Sequence, residues 1–141
     1  MRLLPPSLFA VLSLVLVACG GLSASEYRAR LDAACGKLSA ANALIPQQVR
    51  DQHLDMAAAS RIAERNGEAF AKTIGDLDPP DDLRDAHERM RERGEEPGPS
   101  GDDRAALRTW VREWAALYNE LGAKRCEQDQ QAVERQIAAA S

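Results

Sequence analysis

The sequence predicts an all-α fold, an up-down four-helix bundle with a long C-terminal helix. Three observations carry this. Alanine, leucine, glutamate and arginine dominate while aromatics make up only 4%, a mixture that favours helix over strand. Apolar residues recur at spacings of three, four and seven, the periods of a helix face and of near-parallel bundle packing. Strand-like alternation of apolar and polar residues is absent, and no internal repeat appears.

The first helix is expected from Ser23 or Ser25, because Ser23-x-x-Glu26 has the spacing of a reciprocal N-terminal cap. Tyr27, Leu31, Ala34, Leu38, Ala41 and Ile45 then form one apolar stripe, and Pro46 suits the first turn of the next helix. In the second helix Val49, Met56, Ala63, Phe70 and Leu77 fall seven apart, with His53, Ser60, Gly67 and Ile74 beside them. Asn66-Gly67 weakens its middle, so a kink or two shorter helices are expected there. Asp78-Pro79-Pro80 stops it, and Asp81-Asp82 places negative charge at the start of a third helix whose stripe is Leu83, His87 and Met90. Residues 94–101 are too rich in glycine and proline for a regular element. Asp102 or Asp103 caps the fourth helix. Leu107, Trp110, Trp114, Leu117 and Leu121 form one column of it, and Val111, Ala115, Gly122, Cys126, Val133 and Ile137 form a second.

The extreme N-terminus has a different logic. Met1-Arg2 supplies a positive end, residues 8–17 a short apolar core, and Ala18 a small residue after which a peptidase can cut. Leu16-Val17-Ala18-Cys19 with Gly20-Gly21 resembles the lipobox of bacterial lipoproteins. The resemblance implies cleavage before Cys19 and a diacylglycerol on its sulfur, whose two chains bury ~0.8 kcal/mol per CH₂ and anchor stably. The alternatives are an ordinary secretory signal or a spanning helix, but spanning needs about 20 apolar residues and this run stops at Gly20-Gly21. The expected organisation is a signal peptide over 1–18, the acylated Cys19 and a short tether over 19–25, and one helical domain over 26–141. The expected address is outside the cytoplasm, anchored by lipid to the outer face of the cell membrane or to a periplasmic or outer-membrane leaflet. The helical part, through Tyr27, Cys35, the Leu77-Asp78-Pro79-Pro80-x-x-Leu83 step and Leu121-Gly122 before Cys126, resembles small alanine-rich two-cysteine lipoproteins of high-GC bacteria. That resemblance implies a shared helical fold.

With Cys19 acylated, Cys35 and Cys126 remain as an even set in an oxidising compartment. One bridge between them, linking helices one and four, is the economical reading; two buried free thiols are the alternative. The bridge raises a difficulty of length. At 1.5 Å per residue Cys35 lies about 15 Å before its turn, while Cys126 lies about 35 Å into the last helix. The last helix must therefore overhang by about 20 Å, bend at its start, or kink at Gly122.

Composition limits function. The 141 residues carry a net charge of −4, and removing Met1–Ala18 leaves 123 residues at −5, one domain without the basic face that nucleic acid requires. The two histidines each precede a methionine by three residues, as His53-x-x-Met56 and His87-x-x-Met90. Imidazole and thioether on one helix face suit copper, and a His/Met pair also holds haem iron in some proteins. The plainer reading makes both methionines core filler and both histidines boundary residues. Trp110 and Trp114, one turn apart, suit either the core or a ligand cleft. The Arg/Glu run over 84–96 is read as a solvated face. No nucleophile and base are recognisable, so an envelope hydrolase ranks last. The expectation is a non-catalytic, membrane-anchored binding or interaction module without a cofactor. Its partner is a protein or small molecule of unknown kind, and the alternative is a copper or haem protein.

Overall fold

The computed structural model describes residues 21–100 and 102–140. The signal peptide over 1–18 and the acylated Cys19 lie outside the described residues. Among the described residues six α-helices follow one another: α1 (Ala24–Ala43), α2 (Ile45–Gln52), α3 (Met56–Gly75), α4 (Arg84–Glu95), α5 (Arg104–Leu121) and α6 (Lys124–Ala139). A 3-10 turn over Asp81–Leu83 leads into α4, and no strand occurs among these residues.

The starts follow their capping chemistry. Ser23 Oγ accepts from the Glu26 N–H at 3.3 Å, and the Ser23 N–H donates to the Glu26 carboxylate at 3.1 Å. The Ser23 hydroxyl and backbone N–H hold the Glu26 carboxyl below the usual carboxylate range. Helix α1 thus begins inside the segment read as a tether. Pro46 sits in the first turn of α2, and Asp103 caps α5 by accepting from the Ala106 N–H at 2.9 Å.

Two of the four expected helices are each broken in two, and both breaks fall on a left-handed residue. His53 (φ 52, ψ 41) closes α2 and Gly122 (φ 71, ψ 22) closes α5. Histidine tolerates this conformation better than branched residues do, and glycine adopts it freely. The expected weak point at Asn66-Gly67 stays intact, since α3 runs unbroken through it. The break at His53 also undoes the seven-residue column. Met56 and Ala63 are exposed, and α3 buries Ala59 and Ile74 instead.

The single long C-terminal helix is an antiparallel hairpin. Asn119 donates to Glu127 at 3.2 Å, Arg112 meets Glu134 at 2.5 Å, and Arg104 donates to the Ala140 carbonyl. Helix α1 clamps the elbow. Arg28 Nε donates to the Leu121 carbonyl at the end of α5 (3.1 Å), and Asp32 Oδ1 accepts from the Arg125 N–H at the start of α6 (2.9 Å). Each charge thus faces the opposite pole of a helix dipole. One turn further along α1, Cys35 is bonded to Cys126. The reversal at Gly122 removes the length problem, because it leaves Cys126 in the first turn of α6, beside the elbow.

The other neighbours are antiparallel as well. Leu22 N–H donates to the Asp78 carbonyl (3.2 Å) while Asn66 donates to Asn42 (2.9 Å), which runs α1 against α3. Arg89–Glu120 and Arg93–Glu113 run α4 against α5. The core gathers Tyr27, Leu31 and Cys35 from α1, Ile74 from α3, Met90 from α4, and Trp114, Leu117, Tyr118 and Leu121 from α5. No helix of the described residues is long and apolar enough to cross a membrane.

Candidate functional site

Helix α5 carries Trp110, Trp114 and Tyr118 at four-residue spacing, which stacks them on one face. The two indoles meet edge to face with centroids 5.8 Å apart, and Trp114 lies nearly parallel to Tyr118 at 5.4 Å. Leu38 of α1, Phe70 and Ile74 of α3 and Met90 of α4 stand opposite. Between them lies a cleft of about 300 Å³. Gly67 also lines it, and a Cβ at that position would meet nothing within 4 Å. An apolar, aromatic wall with a few polar groups at the mouth is the usual make-up of a small-molecule site.

The mouth is formed by Arg91, Arg93, Glu95, Glu96 and Gln130. Arg93 spends two of its nitrogens on carboxylates, with Nη1 donating to Glu96 at 3.3 Å and Nη2 to Glu113. Its Nε is buried and has no partner, and the same holds for Nε1 of both Trp110 and Trp114. Gln48 Oε1 and Arg108 Nε, away from the cleft, share that condition. Burying a donor without a partner costs about 1–3 kcal/mol, so the cleft wall holds three such costs. Burial raises the Tyr118 hydroxyl far above its usual pKa, so it stays a phenol.

The four histidine and methionine candidates are not brought together. His53 and Met56 sit exposed at the α2–α3 turn, Met56 at 78%. His87 and Met90 are buried in the core, Met90 at 1%. His87 Nδ1 shares a 2.8 Å hydrogen bond with the Tyr27 hydroxyl. Asn66 lies beside Asn42, so counting along α1 and back up α3 puts Met56 on the order of 35 Å from Tyr27. One ion cannot reach both pairs. Burial lowers the His87 pKa, with Arg91 adding to the effect, and burial pushes the Tyr27 hydroxyl up to about 12. Among the described residues no group of three histidine, cysteine, aspartate or glutamate side chains could hold a metal.

Of the residues singled out from sequence, Trp110, Trp114 and Phe70 belong to the cleft, and Met90 forms part of its lining. Tyr118 and Arg93 went unnoticed. Tyr118 had a signal, since it extends the Trp110–Trp114 spacing by one more turn. Arg93 had none: it lies in a run of charges, and only the packing of α4 on α5 turns it inward. No family model, no curated protein and no solved structure matches the chain.

Proposed function

We propose that the chain is an exported lipoprotein whose helical domain is a non-catalytic module that binds a small molecule in the Trp110–Trp114–Tyr118 cleft. The observation that carries the binding role is the wall itself, three aromatic rings in a row on α5 that line a cleft of about 300 Å³ with Phe70 and Met90. The anchor rests on the lipobox-like Leu16-Val17-Ala18-Cys19. Only Gly20 and Gly21 separate Cys19 from Leu22, whose N–H is tied to Asp78, so three Cα steps, at most about 10 Å of chain, join the lipid to that end of the bundle. Leu38, in the cleft, lies about 24 Å further along α1. On this reading the mouth lies away from the bilayer, which suits a ligand taken from the aqueous side. The antiparallel pairs α1/α3 and α4/α5 support an up-down bundle in which α2 and α6 are additions to the frame. Copper or haem held by His53, Met56, His87 and Met90 is not carried forward, because the two pairs lie at opposite ends.

Two measurements test the reading. Intact mass of detergent-extracted protein should show a chain beginning at Cys19 with a diacylglycerol increment; an unmodified N-terminus overturns the anchor. Both tryptophans of the chain line the cleft, so titration with the bicyclic hydrocarbon indane should change their emission saturably. Gly67→Phe, which fills the cleft, should abolish that change with helicity intact. An unchanged response in this variant overturns the site.

A further inference from the structure

We propose that the molecule taken by this cleft is uncharged and presents a hydrogen-bond acceptor, a carbonyl or ether oxygen, on an apolar body of about ten non-hydrogen atoms. The inference rests on reading the cleft as a binding site and adds the ligand's chemistry. Size comes from the cleft, whose volume of about 300 Å³ lies at the small end of the range for small-molecule sites. Polarity comes from the unpartnered groups of the lining, Nε1 of Trp110, Nε1 of Trp114 and Nε of Arg93. All three are N–H groups that can only donate. No buried side-chain acceptor of the lining lacks a partner. Among the buried groups of the wall the unmet demand is therefore for an acceptor, while the acceptors of the lining, Glu95, Glu96 and the Gln130 amide, stand at the mouth.

Charge decides between a neutral acceptor and an anion. Arg91 and Arg93 at the mouth are matched by Glu95 and Glu96, and Glu113 adds a further negative charge against Arg93. A carboxylate entering here would meet two carboxylates already on the Arg93 guanidinium. A ketone, ester or ether oxygen meets no such opposition. As the side chains stand, the three nitrogens are closed off from water. Trp110 is only half-buried and separates the cleft from a shallow groove lined by Pro97 and Pro99. The proposal therefore requires the half-buried Trp110 ring to turn as the ligand enters, so that its N–H meets the incoming oxygen.

The test compares four probes of one skeleton on the full chain: indane, 1-indanone, 1-aminoindane and indane-1-carboxylate. Affinity is read by calorimetry, and the two indole N–H signals by ¹H–¹⁵N correlation spectra. The expected result is 1-indanone binding roughly tenfold tighter than indane, as one net hydrogen bond allows, with an indole proton moved downfield. The amine and the carboxylate should bind no tighter than indane. Trp110→Phe keeps the ring and loses the donor, and should reduce the preference for 1-indanone while still binding indane. Equal affinity for indane and 1-indanone with unmoved indole signals overturns the acceptor inference and leaves the cleft standing. Tightest binding by the carboxylate overturns the charge argument. Failure of all four to bind the folded chain overturns the cleft reading itself.

Discussion

Asp32, in the middle of α1, accepts a hydrogen bond from the backbone N–H of Arg125 at 2.9 Å, across 93 residues of sequence. Helix α6 has alanine at its own N-cap position, Ala123, with no side-chain cap bond. Its cap comes instead from another helix. A carboxylate there satisfies a donor that the helix leaves unpaired and faces the positive pole. Asp32→Ala should cost about 1 kcal/mol, the ordinary value for losing a cap, and Asp32→Asn should keep most of it. Urea midpoints of the two variants measure the difference. Equal losses in both would assign the effect to charge alone.

Gly122 closes α5 at φ 71, and a Cβ placed there would come within 2.5 Å of Arg28 Nε. An alanine would hold a left-handed conformation at about 1–2 kcal/mol and would displace the Arg28 bond to the Leu121 carbonyl. We expect Gly122→Ala to destabilise by roughly 2–4 kcal/mol. Gly67→Ala is the matched control. Gly67 lies inside α3 with nothing within 4 Å, so alanine should add about 0.5–1 kcal/mol. Thermal unfolding of the pair, opposite in sign, checks both.

These two positions also show what the sequence could convey. Local signals were legible where the partner is near in sequence: the Ser23–Glu26 cap, Pro46 in a first turn, Asp103 before α5, the stripe Tyr27–Leu31–Ala34. The helical class and the Cys35–Cys126 bridge follow from composition and from counting thiols. The start of α6 was hidden because its cap, Asp32, comes from α1. The break before α3 was hidden because His53 takes a left-handed conformation that glycine usually signals, while Gly67 sits quietly in a helix. In the cleft, the spacing of Trp110 and Trp114 announced an aromatic face. It could not say that Phe70 and Met90 would stand opposite at a distance, nor that Arg93 would turn inward.

His87 gives the fold a dependence on pH. Its imidazole is buried against Tyr27, and burial holds its pKa below the ordinary 6.5. Unfolded chains therefore take up the proton first as pH falls. Stability is full above about pH 6.5 and declines below it, until the folded imidazole also protonates. Glu88 and Asp78 oppose the shift, and Arg91 and Arg84 reinforce it. Urea midpoints between pH 8 and pH 5 should fall, and His87→Gln should flatten the slope. A flat profile in the unaltered chain would contradict this account.

The Cys35–Cys126 bridge closes a loop of 91 residues. Chain entropy alone gives such a loop about 4–5 kcal/mol, an upper figure when the unfolded chain retains structure. Replacing both cysteines by alanine should lower the melting temperature by on the order of 15 °C. Because α1 also grips the elbow through Arg28 and Asp32, the variant should still fold to the same helix content. Circular dichroism before and after reduction with dithiothreitol separates lost stability from lost structure.

The two methionines of the His-x-x-Met pairs should behave as opposites. Met90 is buried in the core and lines the cleft, whereas Met56 at the start of α3 stands mostly in water. Truncating a buried methionine removes its transfer free energy and leaves a cavity, for a loss of about 2–5 kcal/mol. Truncating an exposed one changes stability by no more than about 0.5 kcal/mol. Met90→Ala should therefore be costly and Met56→Ala near neutral, both read as changes in unfolding free energy. The same pair also bears on whether the two His-x-x-Met pairs share a metal ion. If the two thioethers shared one ion, adding Cu(I) would stabilise the unaltered chain and Met56→Ala would erase the gain. With Met56 about 35 Å from the Tyr27 that holds His87, we expect Met56→Ala to leave any copper response unchanged.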